Sequence, residues 1–319
     1  MNRSADPGQA GRLKNAILIA GPTASGKSAL AMEFARRTGG IVVNADSMQV
    51  YSMLSVLTAR PTAADTAKVP HKLYGYVHPS EPYSTGRWLR DVAGLIDAGT
   101  FEKRTAVFVG GTGLYFRALT EGLSPMPDIP DEVRRNLRRR LDEEGPQALH
   151  DLLVRKDPAA AEAIRPSDGQ RILRALEVLE ASGRPISAWQ AERSQPLVDT
   201  ASSKLLALIS DREALKRRID GRFDRMVAEG AVEEARGLLA LGLDAAMPAM
   251  KAIGVPEFRD YLDGEITLDE AISRAKTATR QYAKRQITWL RHQLGPAWQR
   301  VSAEDSSALS DLLAITRKG

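Results

Sequence analysis

The octapeptide Gly21-Pro22-Thr23-Ala24-Ser25-Gly26-Lys27-Ser28 constrains this chain more than any other stretch, because it fits G-x-x-x-x-G-K-[ST] between a strand-like and a helix-like segment. Ala16 to Ala20 (AILIA) is a short apolar run of buried-strand character, and Ser28 to Arg37 carries Leu30, Met32 and Phe34 in a helical pattern. Strand, glycine loop and helix arrive in the order a phosphate cradle requires. Glycines let backbone N–H groups turn inward at the positive end of a helix dipole, where Lys27 adds a full charge and Ser28 can ligate a divalent ion. A diphosphate or oligophosphate is therefore expected against Gly21, Pro22, Thr23, Ala24, Ser25, Gly26, Lys27 and Ser28. The loop alone identifies neither the compound nor the group transferred.

The flanking chain reads as an α/β protein with a P-loop NTPase-like parallel sheet. Gly39-Gly40 closes the first helix, and Ile41-Val42-Val43 begins a second strand that runs into Asn44-Ala45-Asp46-Ser47. Ligands of open α/β sheets bind beyond the carboxyl ends of the strands, so Asp46 is expected beside the glycine loop. There it is open to three readings: a metal ligand, a base, or a cap for the next helix. Residues 51 to 82 carry Pro61, Pro70, Pro79 and Pro82 and read as irregular structure with short strands. Ser84 to Ala98 reads as a helix, Thr105 to Val109 as a third strand ending at Gly110-Gly111-Thr112-Gly113, and Leu114 to Leu119 as the next helix.

Beyond Ser124-Pro125-Met126-Pro127-Asp128-Ile129-Pro130 the pattern is helical only. The expected organisation is a discontinuous core, 1–122 and 203–319, with a helical insertion at 123–202. Asp131 to Glu144 sets Val133, Leu137 and Leu141 on one face and Arg134, Arg135, Arg138 and Arg139 on another. Asp168 to Ser182 repeats the design, with Ile172, Leu173, Leu176 and Leu179 inward and Gln170, Arg171 and Arg174 elsewhere. Such stripes serve either as solvated faces or as polyanion surfaces. Leu205 to Ile209 resumes the sheet, followed by a long helix from Arg212 in which Arg218 and Arg222 share one face, to grip phosphate or to pair with Asp220 or Asp224. Leu268 to Leu294 is a last long helix with Arg280, Lys284 and Arg291 on one side and Trp289 among them, as core or as a stacking surface for a base. The tail after Pro296 shows no usable pattern.

Composition adds exclusions. Hydrophobic residues at 43% and charged residues at 27% fit an ordinary globular chain and exclude a disordered one. The absence of cysteine excludes disulfides and thiolate metal sites and fits a reducing, cytoplasmic setting. The polar amino-terminal stretch reads as a flexible leader without a signal-peptide core, and no apolar run approaches membrane-spanning length, so no membrane partner is expected. A net charge of +5 favours a polyanionic partner.

Six segments in order, GPTASGKS, NADSMQVY, VGGTGLYFRAL with EGLSP, QRILRALEVLEASG, RRIDGRFDRMV and ATRQYAKRQITWLR, resemble the successive motifs of the tRNA dimethylallyltransferases, also called tRNA isopentenyltransferases. The likeness runs from residue 16 to 294. It implies transfer of a dimethylallyl group from dimethylallyl diphosphate, with Mg2+, to N6 of the adenosine immediately 3′ of the anticodon, the insertion gripping the anticodon stem-loop. It implies that the loop holds a prenyl diphosphate and not the triphosphate of ATP. Carried onto this chain, Asp46 is the catalytic base at N6, and Lys27, Ser28 and Arg222 contact diphosphate and magnesium, with Ser28 on the metal and Thr23 near the reacting carbon. The implied tRNA contacts are Asp46, Ser47, Met48, Gln49, Thr112, Arg134, Gln170, Arg171, Ile172, Leu173 and Arg174, then Lys284, Arg285, Gln286, Ile287, Thr288, Trp289, Leu290 and Arg291. A monomer is expected.

Two stretches depart from the family pattern. After Tyr51, where the family reads glycine-methionine and then aspartate-isoleucine-glycine-threonine-alanine-lysine-proline, this chain has Ser52-Met53-Leu54-Ser55-Val56-Leu57-Thr58-Ala59-Arg60-Pro61. After Ile253-Gly254 it has Val255-Pro256, where the family favours tyrosine and then a residue other than proline. The competing readings are an adenylate isopentenyltransferase acting on a free nucleotide, a small-molecule kinase, and an RNA-binding P-loop protein without transferase activity. The arginine stripes count against the first, which has no need of them, and the intact loop counts against the last.

Overall fold

A computed structural model describes residues 11–315; the first ten residues of the expected leader lie outside them. The chain runs β1 (Ile17–Ala20), α1 (Lys27–Thr38), β2 (Ile41–Asn44), α2 (Ala63–Lys68), β3 (His71–Lys72), α3 (Thr85–Asp97), β4 (Ala106–Gly110) and α4 (Gly113–Glu121). Four helices come next: α5 (Asp131–Lys156), α6 (Pro158–Ala163), α7 (Gly169–Ser182) and α8 (Ile186–Gln190). The remainder is β5 (Lys204–Ile209), α9 (Arg212–Ala228), α10 (Ala231–Leu239), α11 (Val255–Leu262), α12 (Leu268–Gln293), β6 (Gln299–Ser302) and α13 (Ser306–Ile315).

Two compact units result, one from the segments up to Thr120 and from Pro196 onward, the other from Glu121–Gln195. The second unit ends before the expected boundary at 202 because Leu197 and Val198 are already buried, with the Leu13 N–H donating to the Leu197 carbonyl at 2.8 Å.

The first unit is built on a six-stranded parallel sheet in the order β3-β2-β4-β1-β5-β6. Its centre is β1, where Ile19 registers with Val109 on one side and Leu206 on the other. A strand flanked on both edges and covered on both faces needs apolar side chains throughout, which is why AILIA does not alternate. Ile17, Ile19, Val107, Val109, Leu206 and Leu208 turn one way and pack with Leu30, Ala31 and Phe34 of α1. On the alternate positions Phe108 meets Trp88 of α3, itself stacked on Tyr115 of α4 at 4.2 Å between ring centroids. The parallel sheet brings the exits of β1, β2 and β4 to one end. Three loops therefore converge there: Gly21 to Gly26, Ala45 to Gln49, and Gly111 to Thr112.

The tail yields more order than its sequence suggests: β6 pairs in parallel with β5, and α13 places Leu312 in the α1-side core. In the helical unit, α5 does not stop at Glu144. It breaks at Gly145 (φ 79°, ψ 169°) ahead of Pro146 and resumes to Lys156, so one stripe of apolar residues becomes two. Its core joins Leu137, Leu149 and Leu153 to Ile172, Leu176 and Val178 of α7.

Candidate active site

The glycine loop leaves β1 with the Gly21 N–H donating to the Gly110 carbonyl (3.2 Å) and turns back through a Ser25 N–H to Pro22 carbonyl bond (3.2 Å). Ala24 (φ 62°) and Gly26 (φ 84°) take left-handed conformations, and Gly26, having no side chain, leaves the first N–H groups of α1 uncapped. Those donors and the helix dipole face whatever the loop encloses. Lys27 reaches back to the Pro22 carbonyl at 3.1 Å. Burial brings its pKa down from 10.5 to about 8, with Asp46 partly opposing that fall and Arg222 adding to it. Ser28 is exposed at the loop's end.

Asp46 is set by a buried asparagine, the first residue of the NADSMQVY segment, to which the sequence reading assigns no role. Asn44 is wholly buried; its amide donates to the carbonyls of Asp46 and Leu73 (2.9 Å each), and its Oδ1 accepts the Asp46 N–H at 2.8 Å. The Asp46 carboxylate accepts the Met48 N–H through Oδ1 at 3.0 Å, and its second oxygen makes no hydrogen bond among the described residues. No helix follows Asp46 before α2, so the capping reading falls away: one carboxylate oxygen closes a local turn and the other stays available for chemistry. Thr112 braces this turn: its hydroxyl accepts the Ser47 N–H at 3.0 Å and its own N–H donates to Ala45 at 3.2 Å. Tyr74, Tyr115 and Tyr282 are pushed above their usual pKa, first by burial and then by the charge of Asp46, which places all three within its field.

From α9, Arg222 donates to the Thr23 hydroxyl at 2.5 Å, while its buried Nε has no partner among the described residues. Burial lowers its pKa and Asp46 opposes the shift. Arg218, one turn earlier, donates to the Ala24 carbonyl (2.9 Å) and to Glu304 (2.9 Å). The alternative of pairing with Asp220 or Asp224 falls away, since α12 takes both acids through Arg280 (2.7 Å) and Lys276 (2.6 Å). Both arginines are left pointing at the loop. A second buried group without a partner, Ser25 Oγ, lies in the loop itself. Orphaned donors beside an uncapped helix start, a lysine and an arginine define a site for an anion that brings its own acceptors.

The residues expected to meet RNA divide by burial. Arg134, Arg135 and Arg138 on α5 are exposed and without an ion pair among the described residues; Gln170 and Arg171 are exposed, and Arg174 lies 3.6 Å from Glu177. Ile172 (0% exposed) and Leu173 (9%) are core of the helical unit, so contact from their side chains is corrected: only the polar members of 170–174 face solvent. On α12, Lys284, Arg285, Thr288 and Arg291 are exposed, Ile287 is half-buried, and Leu290 (6%) is buried and corrected likewise. Gln286 is buried too, and bonds two of the three loops; its side chain is unavailable to a partner. Trp289 is half-buried over Gly113, where a Cβ would overlap its ring. Gln49 spends its amide on the carbonyls of Thr58 and Ala59.

The two departures from the family pattern meet in space. The N–H groups of Ser55, Val56 and Leu57 all donate to the Glu234 carboxylate of α10 (2.7, 2.8 and 2.8 Å), and Leu57 packs against Gly254, ahead of Val255-Pro256. For a metal, no group of three or more His, Cys, Asp or Glu converges among the described residues. A magnesium ion therefore fits only as one held by the Ser28 hydroxyl together with oxygens of the bound phosphates, a donor set that ion commonly accepts.

Sheet, loop and anion site together define an α/β phosphate-loop protein. Comparison with known proteins narrows this. Residues 49–293 match the family model described as IPP transferase, and residues 14–74 match a model described as isopentenyl transferase. A tRNA dimethylallyltransferase of Chelativorans sp. is 65% identical over 90% of this chain and 98% of its own, and that of Mesorhizobium japonicum is 61% identical over 95% and 94%. Among solved structures, a eukaryotic dimethylallyltransferase acting on tRNA matches with a TM-score of 0.78 and 29% identity, over 95% of this chain and 79% of its own. The tRNA isopentenylpyrophosphate transferase of Bacillus halodurans matches with a TM-score of 0.67 and 33% identity, over 95% of each chain. The chain belongs to the tRNA dimethylallyltransferase family.

Proposed function

We propose that the protein transfers a dimethylallyl group from dimethylallyl diphosphate to N6 of the adenosine immediately 3′ of the anticodon in tRNA, releasing diphosphate. The carrying observation is the pairing at one sheet end of an anion cradle, Lys27 and Arg222 with orphaned donors, and a carboxylate, Asp46, with one oxygen uncommitted.

An exocyclic adenine amine is a poor nucleophile because its lone pair is delocalised into the ring. The protein must therefore stabilise departure of diphosphate. As the allylic C–O bond breaks and the N6–C bond forms, Lys27, Arg222 and the amides of the loop hold the charge gathering on the leaving group. Asp46 accepts the N6 proton, and its requirement for a donor at that position selects the base. Ser28 would hold a magnesium ion, which when bound would supply further charge neutralisation on the diphosphate. An adenine stacked in a helix cannot reach a cradle at the strand ends, so an unpaired loop base, extruded at small cost, is the fitting acceptor. The exposed arginines of α5 and α7 and the basic residues of α12 supply polyanion contacts. No helix among the described residues is long and apolar enough to cross a membrane; action in the cytoplasm as a monomer belongs to the same proposal.

Incubation with unmodified tRNA, magnesium and dimethylallyl diphosphate, followed by nucleoside mass analysis, tests the reading. It expects an adenosine heavier by one dimethylallyl group in place of hydrogen. Tight ATP binding with tRNA-stimulated hydrolysis and no prenylated nucleoside would refute it.

A further inference from the structure

Gln286 joins the donor half of the site to the acceptor half. It sits on α12, 5% exposed, on the face that also buries Ala283 and Leu290. Its Oε1 accepts the Thr23 N–H at 2.8 Å, and its Nε2 donates to the Gly111 carbonyl at 3.0 Å. The two partners fix the amide orientation, because one can only donate and the other only accept. Gly111 lies so close that a Cβ there would overlap the Gln286 amide, and one turn along α12 Trp289 closes over Gly113 in the same way.

What the two anchored loops carry gives the contact its meaning. Thr23 receives the Arg222 guanidinium, so the orientation of its peptide sets where that charge stands over the glycine loop. Gly111 precedes Thr112, whose hydroxyl and N–H hold Ser47 and Ala45 on either side of Asp46. One buried side chain therefore spans from the arginine that faces the leaving group to the turn that aims the base.

We infer that Gln286 is a positioning residue for prenyl transfer: by tying the Thr23 amide to the Gly111 carbonyl it fixes the separation between the phosphate cradle and Asp46, and so the alignment of the breaking C–O bond with the acceptor amine. The inference rests on the reaction proposed above. It predicts a loss in the chemical step and not in binding, because the cradle, Lys27 and the exposed basic residues of α12 remain without it. Misplacement of reacting groups by about an ångström costs on the order of 100-fold in rate.

The test compares wild-type protein with Gln286→Met, which keeps the length and removes both hydrogen bonds, and Gln286→Glu, which keeps the acceptor for Thr23 and, when ionised, loses the donor for Gly111. Single-turnover rates at saturating substrates, separate dissociation constants for dimethylallyl diphosphate and tRNA, melting temperature and Thr23 amide hydrogen exchange are measured for each. Expected for Gln286→Met is a rate lower by about 30- to 100-fold, both dissociation constants within about threefold, and faster Thr23 exchange. Gln286→Glu should keep slow Thr23 exchange, lose rate, and weaken the donor alone, since it sets a carboxylate against the anion site. Turnover of Gln286→Met within about threefold of wild type, or parallel losses of rate, both affinities and melting temperature, overturns the positioning role. Should Gln286→Met fail to fold, Gln286→Glu decides: a single-turnover rate within about threefold of wild type, or losses of tRNA affinity and melting temperature in parallel with the rate, overturns the positioning role. A wild-type protein that prenylates no tRNA refutes the reaction instead; unchanged Thr23 exchange in Gln286→Met then refutes the tie itself.

Discussion

Lys27 is expected to destabilise the protein it makes active. Folding draws its pKa from 10.5 to about 8, with burial as the leading cause. At about 1.4 kcal/mol per unit, the buried charge costs the folded state roughly 3 kcal/mol. The protonated lysine is the form opposed, so the folded protein binds fewer protons than the unfolded chain between pH 8 and 10.5. The cost is complete below pH 8, shrinks as pH rises through that window, and is gone above it. Lys27→Met removes the cost together with the bond to the Pro22 carbonyl, which contributes about 1 kcal/mol. The variant should thus be more stable than wild type at pH 7 by about 2 kcal/mol, while using dimethylallyl diphosphate far less well. Denaturant melts without ligand at pH 7 and pH 10 measure this, the variant's advantage narrowing at the higher pH. A variant less stable at pH 7, or an advantage independent of pH, would refute the assignment of a desolvated ammonium. The same group should make wild-type kcat/KM for the donor fall as pH rises through about 8.

Asp46→Ala should lower kcat by about 10² to 10⁴ with the melting temperature little changed, measured by single-turnover prenylation; near-wild-type turnover on saturating substrates would remove Asp46 as the base. Replacing Arg134, Arg171 and Arg174 by alanine should weaken tRNA binding and flatten its salt dependence by roughly one unit for each phosphate no longer neutralised, with donor affinity unchanged; unaltered salt titrations return those arginines to a solvated face. Glu234→Gln removes the charge that three consecutive amides share and should speed exchange at Ser55, Val56 and Leu57, at a cost of about 1–3 kcal/mol; protection factors equal to wild type would show that the segment is held by other means.

How much the sequence discloses depends on how local each determinant is. The strand, glycine loop and α1 stand in one continuous segment, so motif and periodicity find them together, and α12 announces itself by length. β6 is four residues of an edge strand whose partner, β5, lies some ninety positions earlier, and no local pattern marks such a pairing. The break at Gly145 ahead of Pro146 is visible as residues, but it reads equally well as a helix end, which hides the continuation to Lys156. Gln286 reads locally as part of a basic, RNA-facing run because its neighbours Lys284 and Arg285 are charged. The signal against that is spacing: Ala283, Gln286 and Leu290 share one helical face, and a glutamine among apolar positions is a buried polar group in need of partners. Asn44 carries a weaker signal of the same kind, a polar residue closing an apolar strand.

The contact between Thr23 and Gln286 spans 263 positions of the chain. A ribosome adding about 5–20 residues per second makes the glycine loop some tens of seconds before the helix that secures it. The nascent protein owns the glycine loop before it has Arg222, 199 positions further on, and for longer still before it has Gln286. A chain that stops ahead of α12 therefore carries the glycine loop without the side chain that ties it to Gly111, and aligned transfer waits on that helix.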